Sequence, residues 1–158
     1  MFARMAFLMV LIAMTAPVSG QEKSGPEHLS EAQLIESLEI PSGRTSAAFM
    51  FKRLGERGNF NYWIVERDTT GQVEQHADWT DVFIVQSGKG SVLYGGQLTG
   101  ARENAPGEML CWEITGGTRH PLAQNDMMII PAGMPHQVWV EPGESIRYVI
   151  VKIKRITP

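Results

Sequence analysis

The chain has 158 residues, of which 43% are hydrophobic and 20% charged, with a formal net charge of −3. That length suffices to bury one core and is short for two, and the mild acidity argues against a nucleic-acid partner, which would need a basic patch to neutralise phosphates. Cys111 is the only cysteine, so no intramolecular disulfide can form and stability must come from packing, a subunit interface or a metal.

Residues 1–20 read as a signal peptide. Arg4 supplies a positive start, Ala6 to Met14 form an apolar run, and small residues close the segment in "APVSG". The run is too short for a membrane span and wrongly flanked for one. Cleavage after Gly20, with Val18 and Gly20 in the small-residue positions, would make Gln21 the mature N-terminus. The protein is therefore expected to be exported, periplasmic or extracellular, with no stable membrane span after processing.

Residues 21–43 divide into a polar lead-in, "QEKSGPEH", and a short helix. His28 in the lead-in reads as solvated. Ser30 can cap the helix with Gln33 completing a capping box, Leu29 and Leu34 can staple its first turn, and Pro41 with Gly43 end it. Leu34, Ile35 and Leu38 give one apolar face, to be packed outside the main fold or against a second subunit.

The remaining unit, residues 44–158, is patterned as strands. Candidates are "SAAFMFKRL", "NFNYWIVER", "DVFIVQ", "GSVLYGG", "EMLCWEI", "DMMIIP", "HQVWVE" and "SIRYVIVKI", most of them bounded by Gly, Pro, Asn or Asp. With no helix long enough for a crossover, this is an all-β sandwich or barrel of antiparallel strands. The segment "GQLTGARENAPGE" reads as a surface loop. The last strand is apolar on both faces, which predicts cover from another strand layer or from a partner, most simply in a homodimer.

Chemistry concentrates in "QHADWTD" and "PAGMPHQVWV". In an extended segment residues two apart share a face, so His76 and Asp78 can converge on one ion. Asp81 joins them only if Trp79 and Thr80 make a turn or bulge. His136 follows a turn built from proline and glycine, which fixes the imidazole ahead of the strand. Two histidines and a carboxylate suit a divalent transition metal (Fe, Mn, Zn, Ni or Cu) with positions left for water or substrate.

These residues resemble the two motifs of the cupin superfamily. "HADWTDVFIVQSG" is similar to the first, and "NDMMIIPAGMPH" to the second, with Pro131, Gly133 and His136 in register. The resemblance spans roughly residues 45–154 and implies a double-stranded β-helix, the jelly-roll barrel, with a small-molecule site inside. Asp78 stands where a second histidine is usual, Asp81 where glutamate is usual, and Val140 where asparagine is usual. What carries over to a metal site is therefore His76 and His136 with one or both aspartates.

Four further residues are candidates for the site. His120 in "GGTRHPL" is a possible extra ligand, since Pro121 makes an edge strand or bulge there; Arg119 beside it offers a cation for an anionic ligand. Trp79 is one of four tryptophans, with Trp63, Trp112 and Trp139, that divide between pocket, core and interface. Arg147, after His76, Asp78 and His136, gives a pattern similar to iron- and 2-oxoglutarate-dependent oxygenases, although the chain is short for that family and an exported protein has poor access to 2-oxoglutarate.

The expected function is thus a small-molecule site in a cupin barrel with a divalent metal on His76, His136 and Asp78 or Asp81. As an enzyme it would be a metal-dependent oxidoreductase, isomerase or lyase. The alternatives are a non-catalytic module that binds a sugar or an acid without metal, and a barrel that serves only as an assembly surface.

Overall fold

A computed structural model of the chain describes residues 25–38 and 47–156. The signal-peptide segment, the start of the lead-in, and Pro41 and Gly43 lie outside the described residues. Among the described residues no helix is long and apolar enough to cross a membrane.

The one helix, α1 (Glu31–Glu36), begins as its sequence dictates. Ser30 Oγ accepts from the Gln33 amide at 3.3 Å while Gln33 Oε1 accepts from the Ser30 amide at 2.9 Å, so two of the free N–H groups of the first turn are satisfied reciprocally. Leu38 just beyond it is buried in a small apolar cluster with Ala47, Met50 and Ile64, against which Leu34 and Val149 also pack. The N-terminal segment therefore covers part of the outer face of the last strand, which accounts for the apolar residues on both of that strand's faces.

Twelve strands follow in the described residues: β1 (Phe49–Arg57), β2 (Phe60–Arg67), β3 (Val73–His76), β4 (Trp79–Tyr94), β5 (Gln97–Thr99), β6 (Arg102–Ala105), β7 (Glu108–Cys111), β8 (Glu113–Thr115), β9 (Thr118–Ala123), β10 (Met127–Ile130), β11 (His136–Trp139) and β12 (Ile146–Lys154). Every pairing is antiparallel. Several strands differ from the sequence reading: β3 and β9 are not among its candidates, and "EMLCWEI" divides into β7 and β8. "DVFIVQ" and "GSVLYGG" are halves of the single strand β4, and "GQLTGARENAPGE" carries the short strands β5 and β6 rather than a plain loop.

β4 is the axis of the barrel. Its first half pairs with β12 and β10, extending the run β1-β2-β12-β4, and its second half pairs with β11 and β9, from which β3, β7 and β6 continue. The change of sheet occurs at a bulge: Val85 pairs with Tyr148 and Ser87 with Arg147, so Gln86 has no partner across from it. Gly88 follows with φ +74, and a Cβ there would lie 2.0 Å from the Ser145 carbonyl oxygen. Only glycine meets both demands. The two sheets close over a core that includes Phe83, Val85, Val92, Leu122, Ile130, Ile146 and Tyr148.

Replacing Phe83, 2% exposed at the centre of this core, with Ala is expected to cost about 3–5 kcal/mol. Met127→Ala on the outer face, where the side chain is 64% exposed, is expected to stay within about 0.5 kcal/mol. Urea denaturation midpoints check both.

Candidate metal centre

The short strand β3 places Glu74 and His76 on one face of the sheet, because they stand two residues apart. The chain then reverses at Ala77 and Asp78 and re-enters the sheet at Trp79. That bend brings Asp81 on β4 back to His76; it lies at Ala77 and Asp78, whereas Trp79 and Thr80, where the sequence reading required a turn or bulge, are already in the strand. The proline–glycine turn ahead of β11 packs on the same corner: the Gly133 amide donates to the His76 carbonyl at 2.7 Å, and Gln75 Nε2 donates to the Gly133 carbonyl at 2.7 Å. It delivers His136 beside His76, with ring centroids 5.3 Å apart.

The resulting cluster is closely spaced, with Asp81, His76 and His136 buried and the Glu74 side chain open to solvent on one side. Asp81 is 1% exposed, and its Oδ2 lies 3.4 Å from His76 Nε2 and 3.5 Å from His136 Nε2. Glu74 Oε2 lies 3.6 Å from His76 Nε2. Both imidazoles are held by their other nitrogen: His136 Nδ1 is 3.1 Å from the Met134 carbonyl, to which it donates, and His76 Nδ1 is paired with the carboxylate of Glu108, its cross-strand neighbour on β7. Carboxylate and carbonyl acceptors behind a histidine are the usual means of aiming a metal ligand.

These distances test whether a metal fits. Ligand atoms about 2.1 Å from a tetrahedral ion stand roughly 3.4 Å from one another. Glu74, His76 and His136 offer ligand atoms within 4.8 Å of one another, and Asp81 bridges the two histidines at the spacings above. Glu74, His76 and His136 have the residue types and spacing for a divalent transition ion, with Asp81 beside both imidazoles.

Sequence reasoning missed a resident of the same corner. Lys152 on β12, paired in register with Asp81, places Nζ 2.8 Å from both Asp81 oxygens and 2.8 Å from His76 Nε2. An ammonium thus stands among the donor atoms that would hold an ion. Burial works against the charge on Asp81, but His136, His76 and the Lys152 charge outweigh it and hold its pKa well below the ordinary carboxylate range. The Glu74 pKa is lowered as well, burial again being overcome by His76 and its neighbours. Burial also opposes a charged His76, yet Asp81 and Glu74 prevail and raise its pKa.

Asp81, His136, Glu74 and Lys152 form the polar end of a cavity of about 190 Å³ inside the barrel. Phe49, Phe51 and Trp63 from β1 and β2 form its aromatic side, and Phe83, Tyr148 and Ile150 continue the wall. The other candidates lie elsewhere. Asp78 is exposed in the β3–β4 turn, and His120 is exposed on β9. Arg119 stacks over Trp139 at 4.6 Å and pairs with Glu141 at 2.6 Å, beside a separate surface hollow. Arg147 pairs with Glu66 at 2.5 Å, on the face of β12 opposite Tyr148 and Lys152. Trp79 is half-buried at the start of β4 with Lys154 Nζ 5.8 Å from its ring.

No protein-family profile matches the chain, and no curated protein matches it in sequence. Solved structures resemble it in shape. The polyketide cyclase RemF of Streptomyces resistomycificus superposes with a TM-score of 0.53 at 13% identity, covering 85% of this chain and 87% of that one. The Cnp3 cupin domain of Schizosaccharomyces pombe gives 0.51 at 16% identity, over 73% of this chain and 72% of that one. The DMSP lyase DddQ of Ruegeria pomeroyi gives 0.50 at 12% identity, over 78% of this chain and 55% of that one. The likeness, with the strand order and the motif residues in place, shows the fold to be the cupin barrel.

Removing Asp81's charge should expose how much of the corner hangs on it. In chelator-treated protein, Asp81→Asn leaves the half-buried Lys152 ammonium without its carboxylate and is expected to cost about 3 kcal/mol. Lys152→Met should cost less, because Asp81 keeps both histidines. A carboxylate whose folded pKa is depressed contributes stability that is present above its unfolded value, near 4, and is lost as pH falls further. Urea midpoints of the wild type should therefore decline below about pH 4, with a shallower decline in Asp81→Asn.

Proposed function

We propose that the protein is an exported small-molecule cupin whose cavity ends at a divalent metal held by His76, His136, Glu74 and Asp81. The observation that carries this reading is the spacing of the two Nε2 atoms about the Asp81 carboxylate, 3.4 and 3.5 Å, with each imidazole tied back through Nδ1. Of the two aspartates in "QHADWTD", Asp81 is the one at the cluster, and Asp78 is the exposed one. When bound, the ion would supply Lewis acidity to a substrate oxygen at the cavity's polar end. The chain's own residues do the rest: Phe49, Phe51 and Trp63 give the cavity an apolar side, and Lys152 places a cation where the cavity meets the cluster.

A second reading has its own observation. Lys152 Nζ already satisfies Asp81 from the centre of the cluster, so the same cavity works as a metal-free binding module with a protein-borne cation at its end. Export rests on residues 1–20, and self-association as a homodimer on the exposed apolar side chains Ile84, Met127 and Ile129 on the outer face of β4 and β10.

Elemental analysis of protein purified without added metal decides between the two. The metal reading expects close to one transition ion per chain, lost in His76→Ala and in His136→Ala while the far-UV spectrum stays that of a β protein, and retained in Asp78→Asn. Wild-type protein that takes up no zinc, iron, manganese, nickel or copper when offered each under reducing conditions would leave the metal-free module standing.

A further inference from the structure

The cavity has a second cation, which neither reading uses. Arg67, at the end of β2, is 8% exposed and lines the cavity on the same strand face as Trp63 and Val65. Its guanidinium lies over the Phe49 ring at 4.4 Å, and its Nε is buried with no hydrogen-bond partner. No carboxylate among the described residues is within ion-pair distance of it. Arg53, Arg119 and Arg147 are all more exposed, and each has a glutamate partner. The most enclosed guanidinium of the four is the one left without an anion, although a buried unpaired charge is the costliest kind to keep.

The backbone makes room for this group. A Cβ on Gly71 would stand 1.9 Å from Arg67 Nη1, so the guanidinium occupies space that any other residue at that position would fill. Tyr148, buried on the adjoining strand, adds its hydroxyl to the same wall and is close enough for Arg67 to act on its ionisation. Beside it lie the stacked rings of Phe49 and Phe51, large apolar surfaces that stay about half exposed among the described residues. A cation, a hydroxyl and an aromatic wall around open space ask for a ligand with one anionic end and an apolar body.

We propose that the cavity binds a small organic carboxylate, its carboxylate on Arg67 and its carbon skeleton between the aromatic wall and the Asp81–His136 end. The inference deepens the small-molecule reading above and rests on it, but it holds with or without a metal. A planar guanidinium matches a carboxylate in a two-pronged arrangement. At about 190 Å³ the space suits a small acid. Arg67 is a single cation without a carboxylate partner among the described residues, so it matches a monoanion better than a multiply charged phosphate.

Isothermal titration with acetate, butyrate and benzoate, each beside its uncharged amide, tests this without relying on any variant. At least one acid should bind tenfold or more tighter than its amide. Arg67→Gln should reduce that acid's affinity at least tenfold and leave the amide's unchanged, and Gly71→Ala, which keeps the charge but displaces it, should move the affinity the same way. An acid and amide of equal affinity, or an acid indifferent to Arg67→Gln, overturns the inference and leaves the cavity a neutral-ligand site. Inorganic phosphate binding more tightly than every acid overturns the carboxylate assignment. If none of these acids or amides binds, the small-molecule reading falls with it.

Discussion

A carboxylate removed from water must be met by positive charge or by hydrogen-bond donors, and Asp81 sets that demand at the centre of the barrel. Its partners come from four directions. β12 brings Lys152 across the ladder, β11 brings His136, β3 brings His76, and β10 closes the other side through Ile130 in register with Asp81. Each of these strands could pair in more than one register on apolar patterning alone, since a two-residue slip keeps the same faces inward. Only one register puts Lys152 opposite Asp81. The buried charge therefore selects among packings that hydrophobicity leaves nearly equal, which is the role for which a buried polar contact is best suited.

Much of this was legible in the sequence. The alternation in "SIRYVIVKI", the capping box at Ser30 and Gln33, and the turn residues before His136 each specify a local structure that the fold retains. Two features were illegible for a physical reason. The halves of β4 look like separate strands because Gly88 interrupts the pattern, and a glycine that bends a continuous strand leaves the same trace as one that ends it. The short strand β6 hides in "GQLTGARENAPGE" because residues 101–106 are exposed and a strand with no buried face carries no alternation, and β5 hides because its three residues show one inward side chain, Leu98.

The site shows the same division. His76, Asp81 and His136 announced themselves by residue type, but choosing Asp81 over Asp78 needed the bend at Ala77 and Asp78, which no residue type there announces and which the sequence reading sought at Trp79 and Thr80. Glu74 was within reach, since it stands two residues before His76 in "VEQH" and must share its face in any strand. Lys152 gave a fainter signal, a lone charge inside the apolar run "YVIVKI" that the alternation points inward. Glu108 gave none: it meets His76 only through the β3–β7 register, which is a property of the assembled sheet. Arg67 alternates inward with Trp63 and Val65. Strand periodicity thus places a side chain on a face, whereas its partner is fixed by pairing between distant segments.

Lys152 has a consequence for what the barrel admits. Its ammonium is bound to the fold through its own strand, so it faces Asp81 at an effective concentration on the order of millimolar or above, whatever the solution contains. A cation from outside competes against that standing charge. Sodium or potassium, with one charge and a preference for water, gains nothing by the exchange, while an ion that bonds to imidazole nitrogen gains ligands that an ammonium uses poorly. The tethered lysine is in this sense a threshold: it keeps the corner neutralised in ordinary salt and yields it only to a species with stronger chemistry.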